Sequence, residues 1–326
     1  MKNFWQDLKK PIICLAPMAD VTDISFRTLI ARLGKPDVMW TEFVSADGLM
    51  LAPEEAKEKL LKDLKFNEEE RPIVAQLFGS NPKTMEEAAK LCQDLGFDGI
   101  DINMGCPDRS IEKQGAGSAM IKNPKTAEEI IKAAKRGAPN LPISVKTRIG
   151  YNKLDELEDW ISFLLKQDIP TLTVHLRTRK EMSKVPAHWE LASKVVELRD
   201  KISPKTLIIG NGDVLSPADA LEKIKETGID GVMIGRGIFG NPWRFNREIE
   251  RDTDISIKER LETLIEHSKI FEKELSHKNF AVMKKHFKAY VEGFNGAKEL
   301  RVKLMEINTA KDVERIINDW LKEEGF

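Results

Sequence analysis

Polar side chains in this 326-residue chain recur at one kind of place, the end of a short apolar run. Gln76 ends PIVAQLFG (72–79), and Asn103 and Cys106 end GIDINMGCP (99–107). Lys146 and Arg148 end PISVKTRIG (142–150), and His175, Arg177 and Arg179 end TLTVHLRTR (171–179). Asn211 and Asp213 end LIIGNGDV (207–214), and Arg236 follows the apolar part of GVMIGRGIFG (231–240). One such residue is a satisfied polar group; six runs in step read as one site. Cys106 stands between a glycine and a proline, where the chain turns and exposes the thiol. With an ordinary pKa of about 8.5 that thiol is mostly protonated at neutral pH and can donate a proton. No partner for thiolate nucleophilic chemistry is evident. Cys14 and Cys92 read as small buried hydrophobes. The three cysteines lack CxxC or Cys/His spacing, which argues against a disulfide framework or a zinc site.

Two further runs, ICLAPM (12–17, plus Met18) and VMWTEF (38–43), bring the strand-like segments to eight. The segments between them carry helix signals. Asn81-Pro82, Asn123-Pro124 and Ser216-Pro217 each set a cap residue before a proline at the first helical position. Gly96, Gly137 and Gly228 stand where a glycine would stop each helix. Continuous apolar strands alternating with helices mean a parallel sheet buried on both faces. Eight of them predict a closed (β/α)8 TIM barrel, the rival being an open doubly wound sheet. Residues 1–244 are assigned to the barrel and 245–326 to a C-terminal all-helical domain with apolar positions three and four apart.

In such a barrel the carboxyl strand ends build the active site. GNGD (210–213) and GRG (235–237) are glycine-bearing turns after the last two strands, where barrels commonly hold phosphate through backbone N–H groups. The stretch 235–240 fits GxGxxG, but it sits on the final strand with Pro242 after it and no further βα unit. Lys146 reads either as a salt bridge across the mouth or as a fixed charge beside a cofactor ring that becomes anionic on reduction. Gln76 both donates and accepts, which suits the edge of a flavin ring. Ala16, Pro17 and Met18 end the first strand with backbone that can lie against one.

Hydrophobic residues make up 41% of the chain, enough for a core, and the net charge is −1, so no global basic field marks a nucleic-acid binder. A local stripe is present instead. Lys278, Lys284, Lys285, Lys288, Lys298, Arg301 and Lys303 face only Glu292 and Glu299. It reads as an RNA contact or as a solvated helix face. No membrane-length apolar run is found, and a cytoplasmic monomer without metal is the expectation.

Taken in order, APMADVTDISFR (16–27), INMGCP (102–107), KQGAGSAM (113–120), VKTRIG (145–150), VHLRTRK (174–180), IIGNGDV (208–214) and GVMIGRGIFGNPW (231–243) resemble the tRNA-dihydrouridine synthases. The tail segment KKHFKAYVEGFNGAKELR (284–301) fits as well. The resemblance implies an FMN enzyme that takes hydride from NADPH and passes it to the C5=C6 bond of uridines in tRNA. It implies FMN contacts at Ala16, Pro17, Met18, Gln76, Lys146, His175, Asn211, Gly212, Asp213, Gly235 and Arg236. Cys106 matches the proton donor, and Asn103 and Arg177 are candidates for holding the uracil. Leu176, Ser183-Lys184-Val185 and Asp108-Arg109-Ser110 depart from the family pattern near the expected substrate mouth. The alternatives are an FMN barrel acting on a free pyrimidine or dihydroorotate, and a non-catalytic RNA-binding barrel. The basic stripe argues against the first, Cys106 and the glycine turns against the second.

Overall fold

The computed structural model describes residues 3–246 and 255–325. Its strands are β1 (Ile12–Leu15), β2 (Met39–Trp40), β3 (Val44–Ser45), β4 (Ile73–Phe78), β5 (Gly99–Met104), β6 (Ile143–Gly150), β7 (Thr171–Thr178), β8 (Leu207–Asn211) and β9 (Gly231–Ile234). All pair in parallel, in the order β1-β9-β8-β7-β6-β5-β4-β2, with β3 also on β4. Cys14 bridges Val38 in parallel, and the Leu15 N–H donates to the Val38 carbonyl at 3.2 Å. The first and second staves therefore meet, and the sheet closes as the expected barrel. The second predicted strand, 38–43, is split into β2 and β3. Between them Thr41 Oγ1 accepts the Gln76 N–H at 3.1 Å.

Helices α1 (Ile24–Leu33), α2 (Ala46–Leu51), α3 (Glu54–Asp63), α4 (Pro82–Asp94), α5 (Arg109–Lys113), α6 (Pro124–Gly137), α7 (Leu157–Leu165), α8 (Ala192–Ile202) and α9 (Pro217–Thr227) connect the strands. Asn81 caps α4, and Ser216 caps α9 reciprocally with Asp219. Gly96 and Gly228 take left-handed φ of +84° and +76°, the conformation in which a side chain is strained. Two signals mean something else. Asn123 makes no cap bond and instead donates to the Ala119 carbonyl. Gly137 is the last residue of α6, and an added Cβ would lie 2.0 Å from the Glu86 carbonyl oxygen. It serves the close crossing of α4 and α6, not a helix stop.

The tail forms α10 (Ile257–Glu274), α11 (Lys284–Tyr290), α12 (Ala297–Met305) and α13 (Ala310–Glu323). It is seated on α1: Phe26 stacks on His267 at 4.9 Å, and Arg32 grips Glu266 through two bonds of 2.7 and 2.6 Å. At Gly240 (φ +67°) an added Cβ would lie 2.2 Å from the Ala289 carbonyl oxygen, so α11 rests directly on the chain leaving β9. The expected boundary at 244/245 falls between buried Trp243 and Phe245. Residues 247–254, which follow it, lie outside the described residues. Among the described residues no helix is long and apolar enough to cross a membrane.

Candidate functional site

A cavity of about 260 Å³ opens at the carboxyl ends of β1 and β6–β9. Ten of the eleven expected cofactor positions are on its wall: Ala16, Pro17, Met18, Lys146, His175, Asn211, Gly212, Asp213, Gly235 and Arg236. Gln76 is the exception. It is fully buried, donating through Nε2 to Asp101 (2.7 Å) and accepting from Asn103 (3.1 Å). A larger cavity, about 450 Å³, lies at the opposite end beside Trp5 and Pro142. Its Lys135 is spent on the carbonyls of Gln167 and Asp168, and no strand-end residue reaches it.

The wall is cationic and pre-set. Burial, then the neighbouring Arg148, lowers Lys146 from 10.5 to about 8, against the pull of the Asp101 carboxylate. At neutral pH Lys146 keeps its charge. Its Nζ donates to Asn211 Oδ1 at 3.1 Å, and Asn211 is held in turn by the Met233 carbonyl. Burial and the surrounding cations push His175 well below its ordinary value, so it is neutral. Arg177, which can only donate, lies 3.1 Å from His175 Nε2. That fixes the proton on Nδ1 and makes this ring a neutral donor.

Arg177 also donates to the Val185 carbonyl (2.6 Å) and to Asp213. Asp213 binds Arg236 at 2.7 Å and the Ala187 N–H at 2.8 Å. Against the penalty of partial burial, these partners hold the Asp213 carboxyl below its usual range. Arg177, expected at the uracil, is thus first a brace for His175 and Asp213. Two of its five hydrogens remain.

The glycine turns leave room for a ligand. At Gly235 an added Cβ would make only ordinary contact, 3.6 Å from Ala16 Cβ and Met18 Sδ, so the space there is cavity. The 3₁₀ turn Arg236–Ile238 begins immediately after it, and the first amides of such a turn have no partner within it. At Gly212 (φ +128°) an added Cβ would meet Ala187 Cβ at 2.8 Å. A cation, a neutral imidazole donor, and a turn whose first amides have no partner within it, beside a vacant Cβ position, suit a flavin carrying a phosphate.

Cys106 lies in the turn after β5 and is partly exposed. Burial raises its thiol above the usual value, opposed by a backbone hydrogen bond at Asp108 and by Arg148 and Lys146, so it is protonated at neutral pH. Asn103 shapes the turn: its Oδ1 accepts the N–H groups of Gly105 (3.1 Å) and Cys106 (2.9 Å). One Nδ2 hydrogen remains for a substrate. Ser118 holds the Cys106 carbonyl through N–H and Oγ, both at 2.9 Å.

Residues outside the expected set complete the mouth. Arg148 donates to the carbonyls of Gly105 (2.8 Å), Thr178 (3.1 Å) and Met182 (2.9 Å), tying the cysteine turn to the loop after β7. Glu112 and Arg179 form a second tie between the same loops. Both arginines had been visible as polar strand ends, whereas Glu112 carried no spacing signal. Asp108 caps α5 at the Ser110 N–H.

The basic stripe is shorter than expected. Lys278 is 14% exposed and pairs with Glu42 (2.7 Å) and Asp63 (3.1 Å) of the barrel. Arg301 donates to the Val291 carbonyl. From 284 to 303 six cations face Glu292 and Glu299, a net +4, and Lys288, Lys298 and Lys303 are exposed.

Residues 14–324 match the family model described as dihydrouridine synthase (Dus). A probable tRNA-dihydrouridine synthase of Staphylococcus aureus (strain COL) is 43% identical over 321 residues, 98% of this chain and 96% of its own length. Probable tRNA-dihydrouridine synthase 2 of Bacillus subtilis (strain 168) is 40% identical over 319 residues, 98% of this chain and 97% of its own. Among solved structures, morphinone reductase in complex with tetrahydroNAD aligns with a TM-score of 0.50 and 13% identity, covering 72% of this chain and 85% of its own. That last likeness is one of fold.

Proposed function

We propose, from the premise that this chain belongs to the dihydrouridine synthase family, that it reduces the C5=C6 bond of specific uridines in tRNA with a flavin. The observation that carries the reading is the strand-end cavity, with cationic Lys146 on its wall and within electrostatic reach of the protonated Cys106 thiol. FMN held here and reduced by NADPH would supply hydride to one carbon of the uracil double bond. Lys146 and the His175 Nδ1–H would lie beside the ring and favour the negative charge it gains on reduction. Backbone N–H groups at Gly212, Asp213 and Gly235 and the Arg236 guanidinium would hold the phosphate, with Arg236 steadied by the Asp213 carboxylate. Cys106 gives its proton to the other carbon, and Asn103 and Arg177 offer their unspent hydrogens to uracil carbonyls. Residues 1–244 act as the catalytic unit and 245–326 as the tRNA-binding unit of a cytoplasmic monomer. A free pyrimidine would have no use for the exposed lysines of α11 and α12.

The test is Cys106→Ala. It should bind flavin and accept hydride from NADPH as the parent does, while turnover on tRNA falls about 10²- to 10⁴-fold, the usual worth of a positioned acid. Full turnover in that variant would remove Cys106 from the chemistry.

A further inference from the structure

An unbroken chain of side-chain hydrogen bonds runs from the barrel interior to the cysteine turn. Ser144 Oγ donates to Asp101 Oδ1 at 2.6 Å, and Gln76 Nε2 donates to Asp101 Oδ2 at 2.7 Å. Asn103 Nδ2 donates to Gln76 Oε1 at 3.1 Å, and Asn103 Oδ1 accepts the N–H groups of Gly105 and Cys106. All four side chains are buried. Two links are carboxamides, each of which has a donor end and an acceptor end and can be turned over. Backbone N–H groups at the turn require the acceptor end of Asn103, and because each carboxamide can be turned over, that orientation is secured only if the other end of the chain also demands it.

The deciding group stands at the far end. An ionised carboxylate only accepts. Burial raises Asp101 from 3.8 to about 6, while Ser144, Gln76 and Lys146 oppose the rise, so it is ionised at neutral pH. An acceptor at Asp101 forces Gln76 to present Nε2 to it and Oε1 to Asn103. Asn103 must then answer with Nδ2, which leaves Oδ1 for the turn. We propose that Asp101 is a positioning residue that sets the polarity of this chain and thereby fixes the turn carrying Cys106. Its consequence for turnover rests on the reading of Cys106 as proton donor; its structural part does not.

Two variants reverse the chain and then restore it. In Asp101→Asn, with Ser144 Oγ keeping its 2.6 Å bond to Oδ1 in preference to the longer 3.3 Å contact with the Ile100 carbonyl, an NH2 is aimed at the Gln76 NH2. Gln76 turns over, Asn103 follows, and an NH2 then faces the two turn amides. In Asp101→Asn with Asn103→Asp, the reversed Gln76 donates to a carboxylate at 103, which still accepts from both amides. The charge has moved two residues along β5 and every bond is restored.

The readout is alkylation of Cys106 by iodoacetamide in the flavin-loaded protein without RNA, followed by peptide mass spectrometry. Cys14 and Cys92 are buried and do not compete. With the turn uncapped and its thiol released towards water, Asp101→Asn should alkylate about 3- to 10-fold faster, the worth of one or two net hydrogen bonds. The double variant should return towards the parent rate. On tRNA the single variant should lose kcat with KM near the parent value. Parent-like alkylation in the single variant, or a double variant no nearer the parent than the single, overturns the proposal. If Asp101→Asn does not fold, the double variant decides: parent-like alkylation sustains the proposal, and failure to fold overturns it. Because alkylation reports the turn whether or not Cys106 donates a proton, an active Cys106→Ala would refute the reaction reading and leave this result standing.

Discussion

His286 on α11 and His267 on α10 meet in the seam between tail and barrel, their ring centroids 4.6 Å apart and Phe26 within 5.0 Å of both. Both rings are fully buried, and among the described residues neither ring nitrogen of either has a hydrogen-bond partner. Burial first, and Lys285 beside it, lowers His286 from 6.5 to about 3. Burial, then His286, drives His267 down as well. The unfolded chain therefore binds a proton at His286 below about pH 6.5 that the folded chain refuses. Stability from this site is whole above that pH and drains away as the pH falls towards 3. At pH 5 the unfolded side gains 1.5 units, at about 1.36 kcal/mol each, or about 2 kcal/mol. Urea unfolding followed by tryptophan fluorescence at pH 7 and pH 5, on the parent and on His286→Leu, isolates the effect. Any loss of packing in the variant is the same at both pH values and cancels. Between pH 7 and 5 the parent should lose about 2 kcal/mol more than the variant. Equal losses would mean that the seam opens to water before the histidine charges, and that His286 is not held neutral by burial.

Three other outcomes follow from the site and its borders. Gly235→Val should purify folded but flavin-poor, because the new side chain extends from a position in mere van der Waals contact with Ala16 and Met18 into the cavity; parent-like flavin content by absorbance would place the cofactor elsewhere. Gly212 is a poorer probe, since a side chain there would strike Ala187 and disturb the protein itself. Lys284→Glu with Lys288→Glu should weaken tRNA binding and flatten its log–log salt dependence by about one to two units, with flavin content unchanged; an unchanged slope would make the stripe a solvated face. Lys278→Met should cost about 3 kcal/mol or more, because it strands the buried Glu42 carboxyl, and adding Glu42→Gln should recover much of the loss in thermal unfolding.

The barrel was legible because parallel strands buried on both faces leave continuous apolar runs, and polar residues at their ends can only belong to the mouth. What stayed hidden depends on partners far along the chain. Lys278 reads as one more cation on a helix, yet Glu42 and Asp63, more than two hundred residues earlier, take it out of the stripe. Asp101 sits mid-strand, and only the closed barrel shows it sharing an interior with Gln76, Ser144 and Asn103. Gly137 has the same cause, a neighbouring backbone no local pattern reveals.

The three departures from the family pattern separate in the same way. Leu176 is 1% exposed and alternates with His175 and Arg177 along β7, so it faces the packed layer away from the cavity. The expectation that it lies at the substrate mouth is corrected by that alternation. Ser183 does line the cavity, and the Val185 carbonyl anchors Arg177. Asp108 starts the helix whose Glu112 grips Arg179, one residue beyond β7. The loop after β7 and the loop after β5 are thus one device, joined by Arg148 at Gly105 on one side and at Thr178 and Met182 on the other. A substrate base approaching Cys106 has to fit between them. Differences in which uridine such enzymes accept should therefore follow residues 108–112 and 183–185 together, and exchanging 108–112 alone for a segment without an acid at 112 should break Glu112–Arg179 before it changes position preference.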